Sequence, residues 1–157
     1  GKLVKELSKK IHPHNKQKND DYTGAKSAIK NFKDQYYGEI SPILSDLIEW
    51  AYCLLNKPPK TKIVFYEKRL KPKTVRRYLD SIATGLLAFC ELDDPMHMED
   101  IDLIEMYENA VTSHRSSKER AYSTTPLRSF NLFLYYNRKI PYIDIDAELT
   151  DTGDPTI

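Results

Sequence analysis

Five glycines in 157 residues are few, which disfavours sheets joined by tight turns and favours helices. No run of about eighteen apolar residues occurs, so the sequence offers no membrane span. No charged-then-apolar leader opens the chain, and a cytoplasmic protein without a signal peptide is expected. The sequence starts Gly1-Lys2 with no methionine, which reads as an excised domain carrying a tag remnant. Cysteine is scarce as well: Cys53 and Cys90 each sit inside an apolar helical pattern. Free thiols in a reducing compartment fit them better than a disulfide.

Chemistry-bearing motifs are also missing. There is no glycine-rich phosphate loop, no His-Glu-x-x-His and no nucleophile elbow. The four histidines, at 12, 14, 97 and 114, are scattered, and His12-Pro13-His14 has no cysteine or carboxylate at ligand spacing. Neither a metal nor a cofactor is expected. Asp93, Asp94, Glu99 and Asp102 form a dense acidic group that could hold a divalent ion in a small metal-dependent enzyme, but a solvated face with helix-start acids is the preferred reading. The chain therefore reads as a non-enzyme.

What the chain has is segregated charge and aromatic bulk. Eleven tyrosines and five phenylalanines give a core large building blocks at an apolar content of 40%. The formal net charge of +1 hides blocks of opposite sign. From Lys57 to Arg77, nine Lys/Arg stand against Glu67 alone, a balance of +8; from Glu91 to Glu108, eight Asp/Glu stand against no base. Residues 113–139 return to +5, and the tail from Tyr142 carries five acids and no base. Such a surface can hold a polyanion on one face and stay soluble.

The centre of the chain is Leu70-Lys71-Pro72-Lys73-Thr74-Val75-Arg76-Arg77-Tyr78-Leu79. Val75, Tyr78, Leu79, Ile82, Leu86 and Phe89 recur at three- and four-residue steps, predicting one amphipathic helix from Pro72 to about Glu91. Proline suits its first turn. Around it the spacing predicts a short basic helix over 3–11, a loop over 12–21, and a helix on Ala25, Ala28, Ile29, Phe32 and Tyr36 ended by Gly38. A further helix is expected to be opened by Ser41-Pro42 with a serine cap. An extended connector or helical turn is expected at 63–66. An acidic helix follows from about Met98 to Thr112, with Ile101, Ile104, Tyr107 and Val111 as its face and Leu103 and Ala110 flanking. A last helix on Leu127, Phe130 and Leu134 either kinks at Pro126 or starts afresh at Thr124/Thr125. The fold class is all-α: a small bundle of four to five helices with an additional N-terminal helical segment. Pro58-Pro59 suggests a boundary, giving a helical segment at 1–57, a DNA-binding bundle at 58–141 and an acidic tail or linker at 142–157.

Two basic, hydroxyl-bearing stretches stand beside helix starts. One is Lys71, Lys73, Thr74, Arg76 and Arg77; the other is Arg115, Ser116, Ser117, Lys118 and Arg120, followed by Arg128. Bases at a helix N-terminus oppose the helix dipole, so a phosphate backbone is the natural partner for them. The run Lys73-Thr74-Val75-Arg76-Arg77-Tyr78-Leu79 with Ile82 and Phe89 carries a resemblance. With it go the Asp100–Asp102 step, the helix through Tyr107, and Ser116-Ser117-Lys118 to Leu134. Residues 61 to 140, about half the chain, resemble the core-binding domain of tyrosine recombinases and phage integrases. The resemblance implies a helical module that clamps double-stranded DNA at a recombination site, without the catalytic domain that follows it in that family. It also implies assembly of several copies on DNA. The rival reading is a helical protein–protein interaction module that pairs through its opposite-charge faces.

Overall fold

The three- and four-residue steps from Val75 to Phe89 become one helix, and the other helices gather around it. The computed structural model describes residues 24, 27–56, 70–112 and 117–149, the side chains of 56 and of 117–122 excepted. Its helices are α1 (residues 27–35), α2 (Pro42–Asn56), α3 (Pro72–Cys90), α4 (Asp100–Thr112), α5 (Ser117–Arg138) and α6 (Ile145–Glu148). A 3-10 turn spans Pro95–His97. No strand occurs among the described residues, and the fold is an all-α bundle. The expected helix at 3–11, the loop at 12–21 and the extended stretch at 63–66 lie outside the described residues.

α3 starts where the sequence marks it. Lys71 is extended (φ −70°, ψ 149°) and Pro72 fills the first turn. Val75, Leu79, Ile82 and Leu86 are fully buried, while Tyr78 and Phe89 are half-buried. Ala83, Leu87 and Cys90 widen the buried stripe, because α3 is in contact with α2, α4 and α5. Glu91 ends the helix at φ 46°, with its N–H on the Leu87 carbonyl at 3.1 Å. Gly38 ends the α1 segment as expected: its φ of +87° is open to glycine and costly for other residues.

The core centres on Trp50 of α2, which is fully buried. Its ring stacks on Tyr78 of α3 at 6.3 Å and meets Phe130 of α5 edge-on at 5.2 Å. Its indole Nε1–H donates to Ser129 Oγ at 3.0 Å, as a buried tryptophan N–H requires. Other polar side chains fasten neighbouring segments. Asn109 Nδ2 of α4 donates to the Gly85 carbonyl of α3 at 2.7 Å. Asn131 Nδ2 of α5 donates to the Ile143 carbonyl at 2.7 Å.

Several local expectations change. Ser41 precedes α2 as expected, but its buried hydroxyl has no partner among the described residues and caps nothing. The buried face of α4 is Leu103, Met106, Tyr107, Ala110 and Val111; Ile101 is 63% exposed and does not belong to it. α5 runs unbroken through Pro126. The missing proline N–H leaves one carbonyl of the preceding turn without its helical donor, a cost that burial of Leu127, Phe130, Phe133 and Leu134 outweighs.

The core does not divide at Pro58-Pro59. Ile29, Phe32, Ile43 and Leu47 share one buried cluster with residues 75–149. Nor is the chain after Tyr142 simply a tail. Ile143, Ile145 and Leu149 are buried, and Asp144 caps α6 by accepting from Ala147 N at 3.2 Å.

Burial also sets thiol chemistry. Cys90 is fully buried, and burial, with Asp93, Asp46 and Asp94 nearby, pushes its pKa up to about 12. Tyr107 is fully buried with its hydroxyl unpartnered among the described residues, and burial, then Cys90, raises its pKa well above the ordinary value. Cys90 is therefore expected to resist a thiol reagent such as dithionitrobenzoate in the native state and to react on unfolding. Rapid native labelling of Cys90, located by peptide mass, would contradict its placement.

Candidate nucleic-acid interface

The N-terminal end of α3 is left bare by the local sequence. Lys71 occupies the cap position and makes no side-chain cap bond, and no acid stands in the first turn. The free N–H groups and the positive end of the dipole thus face outward without a side-chain acceptor. Lys71, Lys73 and Arg77 are exposed there. None of the three has an ion-pair or hydrogen-bond partner among the described residues. Thr74 is half-buried between them.

Arg76 faces the other way. Its Nε donates to both Asp80 carboxylate oxygens at 3.0 and 3.2 Å, one turn along α3. Its two terminal nitrogens reach α1, donating to the Ala28 carbonyl at 3.1 Å and to Gln35 Oε1 at 2.7 Å. The guanidinium also lies 5.5 Å from the Phe32 ring centroid. Every nitrogen of Arg76 is engaged, so this residue holds α1 to α3 and is removed from the set of phosphate ligands read from sequence.

The second basic stretch is described only in part. Arg115 and Ser116 lie outside the described residues, as do the side chains of Ser117, Lys118 and Arg120, whose backbone is the first turn of α5. Arg128 is exposed and stands 3.4 Å from both Asp146 oxygens, a long pair between groups 46% and 67% exposed. A pair of this kind is worth little and opens readily. Arg128 and Leu70, the neighbour of Lys71, line the same cleft of about 420 Å³, together with Tyr78 and Leu132. Among the described side chains of the two basic stretches, Arg128 alone lines this cleft, and Leu70 on it precedes Lys71.

The opposite end of α3 is acidic. Glu91 follows its last residue, Asp93, Glu99, Asp100 and Asp102 are exposed in the segment that follows, and Glu105 and Glu108 are exposed on α4 as it runs back beside α3. Nineteen helical residues separate the two ends by about 28 Å at ~1.5 Å per residue. That exceeds the screening length of about 8 Å at physiological salt, so each end presents its own sign of charge to a partner. Among the described residues no group of three His, Cys, Asp or Glu stands close enough to hold a metal ion. Among the same residues no helix is long and apolar enough to cross a membrane.

Sequence reasoning missed one polar cluster entirely. Arg138 at the end of α5 donates from Nε to Asp46 Oδ1 at 2.8 Å and also pairs with Glu49, both on α2. Asp46 and Glu49 lie three residues apart on one helix face, a signal that was legible. Their partner ninety residues away was not.

Compared with protein-family models, with curated proteins and with solved structures, the chain matches none.

Proposed function

We propose that this chain is a non-catalytic helical module that binds double-stranded DNA through the N-terminal end of α3. The observation that carries the reading is the exposure of Lys71, Lys73 and Arg77, unpaired among the described residues, at an uncapped helix start. Cations placed against their own helix dipole lose stability unless an anion approaches, and a phosphate brings both the charge and acceptors for the free N–H groups. Thr74 adds a neutral hydroxyl donor, and Arg128, once it leaves Asp146, contributes from the cleft that Leu70 also lines. The resemblance to the core-binding domain of tyrosine recombinases supports the same use of this helix, in a cytoplasmic protein that joins further copies on DNA. Chemistry then belongs to a separate catalytic domain.

The test is salt dependence. With three to four phosphate contacts, log K for a labelled duplex should fall with log salt at a slope of about −3, taking roughly −0.9 per contact. Replacing Lys71, Lys73 and Arg77 together by alanine should remove most of that slope on every duplex sequence alike. Neutralising Asp100, Asp102 and Glu105 should leave affinity equal or higher. Absence of binding at low salt, or a slope that survives the triple replacement, would overturn the proposal.

A further inference from the structure

The acidic end of the molecule is not merely charged; it is also greasy. Leu92 is 68% exposed, and Met96 and Ile101 are 59% and 63% exposed. Large apolar side chains this open, clustered within ten residues of chain, mark a contact surface more often than chance exposure does. Leu92 lines a groove of about 490 Å³ between the C-terminal end of α3 and the start of α4, and Met96 and Ile101 are neighbours in the chain of its other lining residues. Phe89, Leu92 and Met98 supply its apolar wall, Asp93, Asp94 and Asp102 its acidic lining, and His97 completes it. The wall is preformed: Asp94 Oδ1 accepts from Met96 N at 3.0 Å and fixes the 3-10 turn, while Pro95 is buried beneath it.

We propose that this groove docks a basic amphipathic helix of a partner protein, one that presents a bulky aliphatic residue flanked by lysine or arginine. Charge complementarity selects the occupant. From Glu91 to Glu108 there are eight acids, no lysine or arginine, and one histidine, His97, so DNA and acidic peptides are repelled and a cationic segment is drawn in. Apolar lining selects the side chain. A leucine of the partner fills the space against Phe89, Leu92 and Met98, and the aliphatic stems of its basic residues cover the exposed apolar rim while their heads meet Asp93 and Asp102. Helix-in-groove recognition needs this combination of an apolar slot and a charged rim. The surface is distinct from the N-terminal end of α3, so it adds a protein partner to the proposed DNA contact without competing for the same residues.

The probe is a labelled synthetic helical peptide with leucines on one face and lysines and arginines beside them, titrated against the full chain by fluorescence anisotropy. Two controls accompany it: the same peptide with serine for leucine, and with glutamate for the bases. The basic leucine peptide should bind, and both controls should lose at least about tenfold in affinity. Leu92→Ser and Asp102→Lys, both at exposed positions, should each weaken binding of the basic leucine peptide about tenfold while leaving circular dichroism unchanged and duplex binding no weaker. Equal binding of the serine peptide would show mere charge attraction and overturn the groove. So would binding insensitive to both variants, or no binding at all. Self-association of the protein in sedimentation, abolished by Asp102→Lys, would place a second copy in the groove and overturn the choice of partner.

Discussion

Replacing Arg138 by alanine should destabilise the fold by about 2–4 kcal/mol, more than replacing its main partner. Arg138 Nε donates to Asp46 at 2.8 Å, a second nitrogen pairs with Glu49, and the guanidinium lies 5.6 Å from the Phe133 ring centroid. Asp46 has only 10% of its side chain exposed. Removing the arginine strands a buried carboxylate, whereas Asp46→Asn removes the charge and keeps an acceptor for Nε. Burial raises the Asp46 pKa above its ordinary value of 3.8, and the hydrogen bond and charge of Arg138 only partly offset that. The ionised form is therefore a net burden at neutral pH, and Asp46→Asn should cost less than about 1 kcal/mol.

The pH dependence follows with a definite sign. A carboxyl raised on folding stabilises the native state fully below pH 3.8, and that contribution fades as pH climbs through its folded value. Without Arg138 the folded value rises further, so the deficit of Arg138→Ala should shrink between pH 7 and pH 4. Urea unfolding of the three proteins at several pH values checks this. Equal losses in Arg138→Ala and Asp46→Asn, or a deficit that grows on acidification, would contradict it.

The second large effect falls on Trp50. Trp50→Ala should cost about 3–5 kcal/mol, because the site is bounded by Tyr78 and Phe130 on separate helices and cannot collapse easily. Trp50→Phe should cost less, about 1–3 kcal/mol, from lost ring area and the lost donor to Ser129 Oγ. Adding Ser129→Ala to Trp50→Phe removes the abandoned hydroxyl and should cost little further. Chemical denaturation followed by circular dichroism serves all four proteins. Trp50 is the single tryptophan, so its emission in the parent chain should be blue-shifted and move red on unfolding. A solvent-like emission from the native protein would remove Trp50 from the core.

Periodicity made the helices legible. The α3 stripe, the glycine end at Gly38 and the proline start at Pro72 are local features, and local spacing encodes them. Ile101 was misassigned because an isoleucine near a helix start satisfies a loose apolar pattern. Taking Leu103, Met106, Tyr107 and Ala110 as the face instead places Ile101 off the stripe. The acidic composition after Tyr142 hid the buried Ile143, Ile145 and Leu149, since three well-spaced apolar residues suffice to dock a short segment. At the candidate site, sequence grouped Arg76 with Arg77 because both are basic neighbours. They differ by about 100° around the helix, and only the position of α1 decides that Arg76 is covered. The Arg76–Asp80 pair, four residues apart, was the one local hint.

That difference supplies the most direct test of the account. Arg76→Ala and Arg77→Ala are to be compared by thermal unfolding and by anisotropy on one labelled duplex at low salt. Arg77→Ala should weaken duplex binding severalfold and flatten the salt slope by about one unit, with an unchanged melting temperature. Arg76→Ala should lower the melting temperature by several degrees, yet bind duplex as the parent does at temperatures where it remains folded. The reverse pattern, with Arg76 carrying the DNA affinity and Arg77 none, would contradict the placement of the interface at the N-terminal end of α3.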